Sequence, residues 1–356
     1  MPKVFITFKE KISSVTIELA IATRDDGSSW NQVVQSSSHG NIFHSWEWLT
    51  TLSKFSEARF LPVIARKGNT ILAVYPLFIL KKGVFNIALS PPPRGVLNYL
   101  GPVFNGYDAL RLDKKESLFL DVQRSVDKYL QDSLQCSLIR IRSSPGLMDP
   151  RPFRWCGYQL EPFFTYRISL AGGSDGVWAG FDKKLRYDIN KAEKEGVIVE
   201  QGDINDLQFI LDRVSDRFIE QGINPSDHFK YISDLYKDFY PKNLKIFVAK
   251  YRGEKISGMI CPCFKNILYL WLGIPKINMP GVSPNDLLQW EAIKWASSQG
   301  LDYFENIDAG IDIRLKNFKS KYNPYLVPWY SAMKYTSSLY RLGGDIISYV
   351  RGTPIH

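Results

Sequence analysis

The chain has 356 residues, room for two domains, and 45% of them are hydrophobic, enough to bury a substantial core. A formal charge of +9, together with 9 Trp, 19 Tyr and 21 Phe, favours an anionic partner: nucleic acid, a nucleotide-linked substrate, a cofactor phosphate or a membrane surface. The four histidines and four cysteines show no metal-ligand spacing, which weighs against zinc; Cys261 and Cys263 around Pro262 read as structural thiols.

The opening stretch MPKVFITFKEKISS lacks the apolar core of a signal peptide. The longest apolar run, 71–80, is too short to cross a bilayer as a helix and contains Pro76. The expectation is a cytoplasmic protein, with contact at the inner face of the membrane left open. Residues 46–55 have the spacing of a short amphipathic helix. Strands are expected over 61–66 and 70–80, joined by Lys67-Gly68-Asn69, and over 84–89 after Lys82-Gly83. Residues 90–107, dense in Pro and Gly, read as loop. Leu118, Val122 and Val126 predict a helix over 114–131, and 137–142 reads as a buried strand.

The midpoint, FDKKLRYDINKAEKEGV, predicts a helix capped by Asp182 and ended by Gly196. Leu185, Ile189 and Ala192 fall on one side, and Lys183, Lys184, Lys191, Lys194 and Tyr187 on the other. Arg186 lies at the margin, where a half-desolvated guanidinium can read a phosphate or carboxylate. Helices follow over 204–220 and 229–239, then strands over 245–251 and 255–264 around Arg252-Gly253. A strand over 267–272 leads into a loop, 273–280. The next helix has Ser283 as cap, Pro284 at its first position and Gly300 past its end. A strand is expected over 302–307. Near the end, Leu339, Leu342, Ile346, Ile347 and Val350 have helical spacing, with Arg341 among them and Arg351 after them; such a tail packs onto the body or touches a membrane surface.

The segments IARKGNTILAVYPLF and VAKYRGEKISGMICPCF share a Gly turn and a P-x-F ending. In both halves a strand, a helix and a last strand follow. This order predicts an internal duplication and an α/β (α+β) fold of two subdomains, each a mostly antiparallel mixed sheet flanked by helices. The expected limits are 1–165 and 166–335, with a helical tail over 336–356. There is no nucleophile elbow, no Walker loop and no G-x-G-x-x-G after a strand. Chemistry by positioning, oxyanion stabilisation and modest proton transfer remains, as in direct acyl transfer to an amine.

The layout of hairpin, strand, loop, helix and strand resembles the GNAT N-acyltransferase fold. Two such units joined through a basic helix resemble the Fem family of peptidoglycan-bridge aminoacyltransferases and related duplicated GNAT proteins of cell-surface polysaccharide pathways. The resemblance covers about residues 40–335. Leu100-Gly101-Pro102-Val103 ahead of Tyr107-Asp108 looks like the Fem R-G-P-V motif before an acidic residue, with Leu100 in place of the Arg. Lys184-Leu185-Arg186 through Lys191-Ala192 to Gly196-Val197 resembles an Arg, I-x-K-A, G-V pattern. Leu315-Lys316-Asn317-Phe318-Lys319, with Tyr322-Asn323-Pro324, looks like the Fem F-K motif. In HSWEWLTTL, Leu52 stands where the family often has a substrate-binding Lys.

The resemblance implies an N-acyltransferase using acyl-CoA or aminoacyl-tRNA and no metal. Its acceptor would be an amine on an anionic, nucleotide- or lipid-linked cell-envelope precursor, either amino sugar or peptide. Lys319 is expected at the reacting groups, with Asp308 or Asp312 nearest to take a proton. Arg186, Tyr187, Gly101, Tyr107, Asp108, Trp271 and Lys316 are expected to bind substrate. Ser283, Asn285 and Asp286, where a helix start offers free N–H groups, would hold the donor. The loop 273–281 lacks the Q/R-x-x-G-x-G/A pattern of ordinary acetyl-CoA users, and no coiled-coil arm interrupts 202–245, so the donor stays open. So do tRNA as a partner, peripheral membrane contact, and monomer against dimer. A competing expectation is a non-catalytic module that binds nucleic acid or a membrane surface.

Overall fold

The computed structural model describes residues 17–220, 222, 231–274, 277, 279–308 and 313–342, with the backbone of 5–6. They divide into two compact units, 1–162 with 328–356, and 163–327. In chain order unit 1 contains β1 (Phe5–Ile6), β2 (Glu18–Ile21), α1 (Gly27–Ser36), α2 (Trp46–Phe55), β3 (Arg59–Lys67), β4 (Thr70–Lys82), β5 (Phe85–Ser90), β6 (Val103–Phe104), α3 (Leu112–Lys128), β7 (Cys136–Arg142) and α4 (Arg151–Trp155). Along β8 (Gln159–Ser169) the chain enters unit 2. There follow α5 (Gly173–Gly180), α6 (Lys183–Lys194), β9 (Val197–Gln201), α7 (Ile204–Glu220), α8 (Ile232–Phe239), β10 (Leu244–Tyr251), β11 (Glu254–Phe264), β12 (Ile267–Leu270), β13 (Leu272–Gly273), α9 (Pro284–Ser298), β14 (Tyr303–Asn306) and α10 (Ile313–Ser320). The strand β15 (Tyr325–Tyr335) gives its residues from 328 onward to unit 1, although the repeat pattern had assigned them to the second subdomain.

The two units share one strand plan. In unit 1, β2, β3, β4 and β5 pair antiparallel in that order, β5 runs parallel to β7, and β7 pairs antiparallel with β15. In unit 2, β9, β10, β11 and β12 pair antiparallel, β12 runs parallel to β14, and β14 pairs antiparallel with β8. A short strand adds to the third in each, β6 on β4 and β13 on β11. The completing strands are exchanged in sequence. β8 follows β7 along the chain yet completes unit 2, while β15 follows β14 yet completes unit 1.

Local chemistry explains most of these elements. The Asp182 carboxylate accepts from the Leu185 N–H at 2.6 Å and so caps α6. Gly196, at φ +88°, ends it in a conformation that side chains rarely adopt. Leu185, Ile189 and Ala192 bury their stripe in the unit 2 core with Leu268, Leu288 and Phe304. Unit 1 closes around Val63, Phe104, Phe119 and Ile139. It also buries a polar network: Asp127 accepts from Tyr158 at 2.5 Å, Gln123 at 2.7 Å and Lys334 at 2.8 Å. Burial nonetheless pushes the Asp127 carboxyl above its usual range, against the pull of Lys334 and Tyr158.

Two differences from expectation have physical causes. Residues 90–107 are not all loop, because Val103 and Phe104 pair with Val74 and Ala73. The run 267–272 breaks at Trp271: Gly273, at φ +117°, lets the chain press onto β11, where a Cβ would lie 2.3 Å from the Gly258 carbonyl oxygen. Only glycine permits so close an approach. The stretch around Lys319, where the sequence shows a motif but no element, is the helix α10. Asp312, residues 275, 276 and 278 of the loop, and the tail residues Ile346, Ile347, Val350 and Arg351 lie outside the described residues. Among the described residues no helix is long and apolar enough to cross a membrane.

Candidate active site

In unit 2 the parallel strands part. β12 and β14 stay paired as far as Leu270 and Asn306. Beyond that point the Trp271 N–H donates to the Ile260 carbonyl at 3.2 Å and the Ile274 N–H to Gly258 at 2.9 Å, both on β11. On the other side of the notch β14 ends, and Asp308 takes up φ +69°. Among the described residues β13 pairs with β11 alone, so its other edge faces the notch. Unpaired backbone donors and acceptors at such an edge can bind an extended ligand much as a sheet adds a strand.

Lys319 reaches this notch from α10. Its side chain is 9% exposed, and its Nζ donates to the carbonyl oxygens of Ile307, at 2.7 Å, and Asp308. Those residues directly follow the last strand pair. Burial brings the ammonium down from 10.5 to about 8; Asp308 opposes the shift and Arg217 adds to it. Lys319 and Asp308 are therefore brought together, through the Asp308 backbone carbonyl.

The start of α9 is electrostatically arranged but internally engaged. Ser283 makes no side-chain cap bond. The Asn285 carbonyl oxygen accepts from the Ser257 hydroxyl at 2.6 Å. Asp286 is 2% exposed, meets the Lys321 ammonium at 2.5 Å and accepts from Tyr322 at 3.0 Å. Burial raises its carboxyl pKa despite Lys321. A further cation is close: a Cβ on Gly281 would lie 3.2 Å from the Lys191 Nζ. The positive end of the α9 dipole, Lys191 and Lys321 together favour a negative ligand.

The remaining unit 2 candidates are dispersed. Arg186 is half-buried and donates to the carbonyls of Trp178 and Ala179, at 3.5 and 3.3 Å, at the end of α5. A cation there complements that helix's negative terminus. Tyr187 and Lys316 are exposed. Trp271 is buried, with its ring 6.4 Å from that of Tyr231.

Gly101, Tyr107 and Asp108 belong to unit 1 and have internal partners there. Leu100 pairs with Ser143, and its N–H donates to the Arg142 carbonyl at 2.8 Å. Leu100 thus occupies the position where β5 and β7 would otherwise part. Gly101 follows at φ +79°, its N–H on the Ser90 hydroxyl at 3.0 Å; a Cβ would lie 3.0 Å from the Ser143 Cα. Tyr107 stacks on Phe104 at 5.1 Å between centroids. Asp108 accepts from the Ser38 hydroxyl at 2.6 Å and its N–H at 2.9 Å. Burial works against the charge, but these bonds hold the Asp108 carboxyl below its usual range.

Two residues had no signal in the sequence. Asn306 and Gln289 are fully buried, and neither side-chain nitrogen nor oxygen has a hydrogen-bond partner. Among the described residues no group of three or more His, Cys, Asp or Glu side chains converges on a metal position.

The fold has counterparts among known proteins. Residues 179–312 match the model of the Acetyltransferase (GNAT) domain family. No curated protein sequence matches the chain. Among solved structures, FemX aligns over 88% of this chain and 96% of its own with a TM-score of 0.66, at 13% identity. A tandem GNAT protein from the clavulanic acid biosynthesis pathway aligns over 90% and 99%, with a TM-score of 0.52 at 9% identity. L-PGS from Bacillus licheniformis aligns over 88% and 93%, with a TM-score of 0.51 at 17% identity. At these identities the likeness is one of fold: a GNAT arrangement, in some neighbours duplicated as here.

Proposed function

We propose a specific acyl-transfer reaction for this chain, whose residues 179–312 match the acetyltransferase (GNAT) domain family. Unit 2 moves an acyl or aminoacyl group from acyl-CoA or aminoacyl-tRNA to an amine of a cell-envelope precursor. The observation that carries this reading is the buried Lys319 ammonium held on the Ile307 and Asp308 carbonyls beside the parted strands. The amine attacks the thioester or ester carbonyl, a C–N bond forms, and charge collects on the carbonyl oxygen. An ammonium has three N–H donors. Two serve the backbone, and we assign the third to that oxyanion. One such donor is worth about 3–4 kcal/mol of barrier. The Asp308 carboxylate receives the proton that the amine loses, the carbon–sulfur or carbon–oxygen bond breaks, and Asp308 returns that proton to the leaving group.

The cations around the start of α9 support an anionic donor there, with Ser283, Asn285 and Asp286 shaping the turn. Arg186, Tyr187, Trp271 and Lys316 remain our assignment for the acceptor side in unit 2. The charge of +9 supports an anionic nucleotide- or lipid-linked acceptor, met in the cytoplasm or at the inner face of the membrane. A tRNA donor would make binding fall steeply with salt, and a CoA donor would not.

The test is a pH profile of transfer. An oxyanion donor at about 8 gives activity that falls on the alkaline side through that value; a lysine acting as base would give activity that rises there. Lys319→Arg, permanently charged, should lose the alkaline limb. Stability runs the other way. The native value lies below the 10.5 of the free side chain, so the penalty is whole below pH 8 and fades as pH rises to 10.5. A protein that transfers nothing from any acyl-CoA or charged tRNA is a binding module instead.

A further inference from the structure

We propose that Asn306 and Gln289 read an uncharged hydrogen-bonding group on the acyl chain, so that unit 2 favours a hydroxyl- or amide-bearing acyl group over its aliphatic isostere. The inference rests on the acyl-transfer reading and deepens it.

Buried amide side chains are nearly always hydrogen-bonded. Asn306 and Gln289 are each 0% exposed, and all four of their side-chain polar atoms lack a partner. Among the described residues of unit 2, they are the buried side chains left in this state. They also belong to one layer. Asn306 is two residues from Phe304 on β14 and therefore points to the same face of the sheet. Phe304 packs in the core with Leu288, Ala292 and Ile293 of α9, the helix that carries Gln289. The helix and the strand are in direct contact.

The position relates these amides to the chemistry. Asn306 forms the last pair before β12 and β14 separate. The next two residues supply the carbonyls that hold Lys319. A substituent one or two carbons from the reacting carbonyl would fall beside the Asn306 amide. The kind of substituent follows from the donor set. Each amide offers an N–H donor and a carbonyl acceptor and no charge, which suits a hydroxyl or a neutral amide. The nearest buried carboxylate on α9, Asp286, is already matched by Lys321, and the Lys319 ammonium is committed to the backbone and the oxyanion, so the amides themselves set the preference.

The experiment is calorimetric titration of the full chain with butyryl-CoA and with 3-hydroxybutyryl-CoA, without acceptor. Binding of the hydroxy compound at least tenfold tighter is expected. Asn306→Leu and Gln289→Leu should each remove most of that difference while binding butyryl-CoA as well as, or better than, the unaltered protein. Their melting temperatures should not fall, because each replaces an unpartnered amide with an apolar side chain. Equal affinities, or a preference that survives both substitutions, would mean that the amides hold only water, and the inference fails while acyl transfer stands. If neither compound binds, the CoA-donor reading falls and this inference with it.

Discussion

In unit 1 the chain leaves β5 after Ser90, makes a proline-rich excursion, and returns as Leu100 to pair with Ser143 where β5 and β7 would part. In unit 2 it passes from Leu270 through Trp271 straight into β13, and no described residue takes the corresponding place beside β14. The strand plan is the same, but one copy fills its notch with its own backbone and the other, among the described residues, does not. Particular buried polar groups differ as well. The Asp127 carboxylate of unit 1 is met by Lys334, Tyr158 and Gln123. Unit 2 keeps a desolvated Lys319 and two unpartnered amides. A duplicated fold can thus close in one copy a notch that, in our proposal, the other copy uses for chemistry.

The comparison can be broken first at its glycines. Gly273→Ala places a Cβ 2.3 Å from backbone oxygen, whereas Gly101→Ala meets the Ser143 Cα at 3.0 Å. Chemical denaturation should show the unit 2 change costing about 4 kcal/mol or more and the unit 1 change less. If the two costs were equal, the closeness of β13 to β11 would not be what demands glycine.

Next come the two buried lysines. Lys319→Met should lower kcat by about 10²–10³ with the fold retained. Lys334→Met leaves Asp127 buried without its cation; it should cost roughly 3 kcal/mol of stability and leave kcat of the folded fraction unchanged. The reverse pattern would move the chemistry to unit 1. Leu100→Ala keeps the backbone pairing in the unit 1 notch but opens a cavity under a buried side chain: a loss of about 3 kcal/mol in urea denaturation, with unaltered transfer kinetics, is the expected result. The smallest effect is Asp182→Ala, which removes the cap of α6 and should lower stability by about 1 kcal/mol without changing kcat.

Much of the fold was readable because it rests on local signals. The Gly68 and Gly253 turns, the Asp182 cap and the Pro284 start each fix a backbone conformation with one residue type. Where such signals are diluted, the sequence misleads or says little. Gln159–Ser169 carries Pro162 and little alternation, and Gly173–Gly180 is a helix hidden among glycines. The run I-L-Y-L-W-L reads as one strand, since nothing in it shows that Gly273 will draw the chain onto β11. For the site, Lys319 was found by resemblance to a motif; its burial and its two carbonyl partners depend on where α10 docks. Asn306 and Gln289 were invisible for a different reason. An amide matters there through the lack of a partner, and that is a property of three dimensions.

The exchange of completing strands bears on how the protein is made. A ribosome synthesises β8 before the rest of unit 2, so that sheet has all its strands once residue 306 has emerged. The earlier half must wait for β15 and cannot close until nearly the whole chain has been translated. Cutting the gene at the apparent midpoint would therefore yield two fragments, each lacking its last strand and carrying one meant for the other. Expressed together, they would be expected to recover a fold that neither reaches alone.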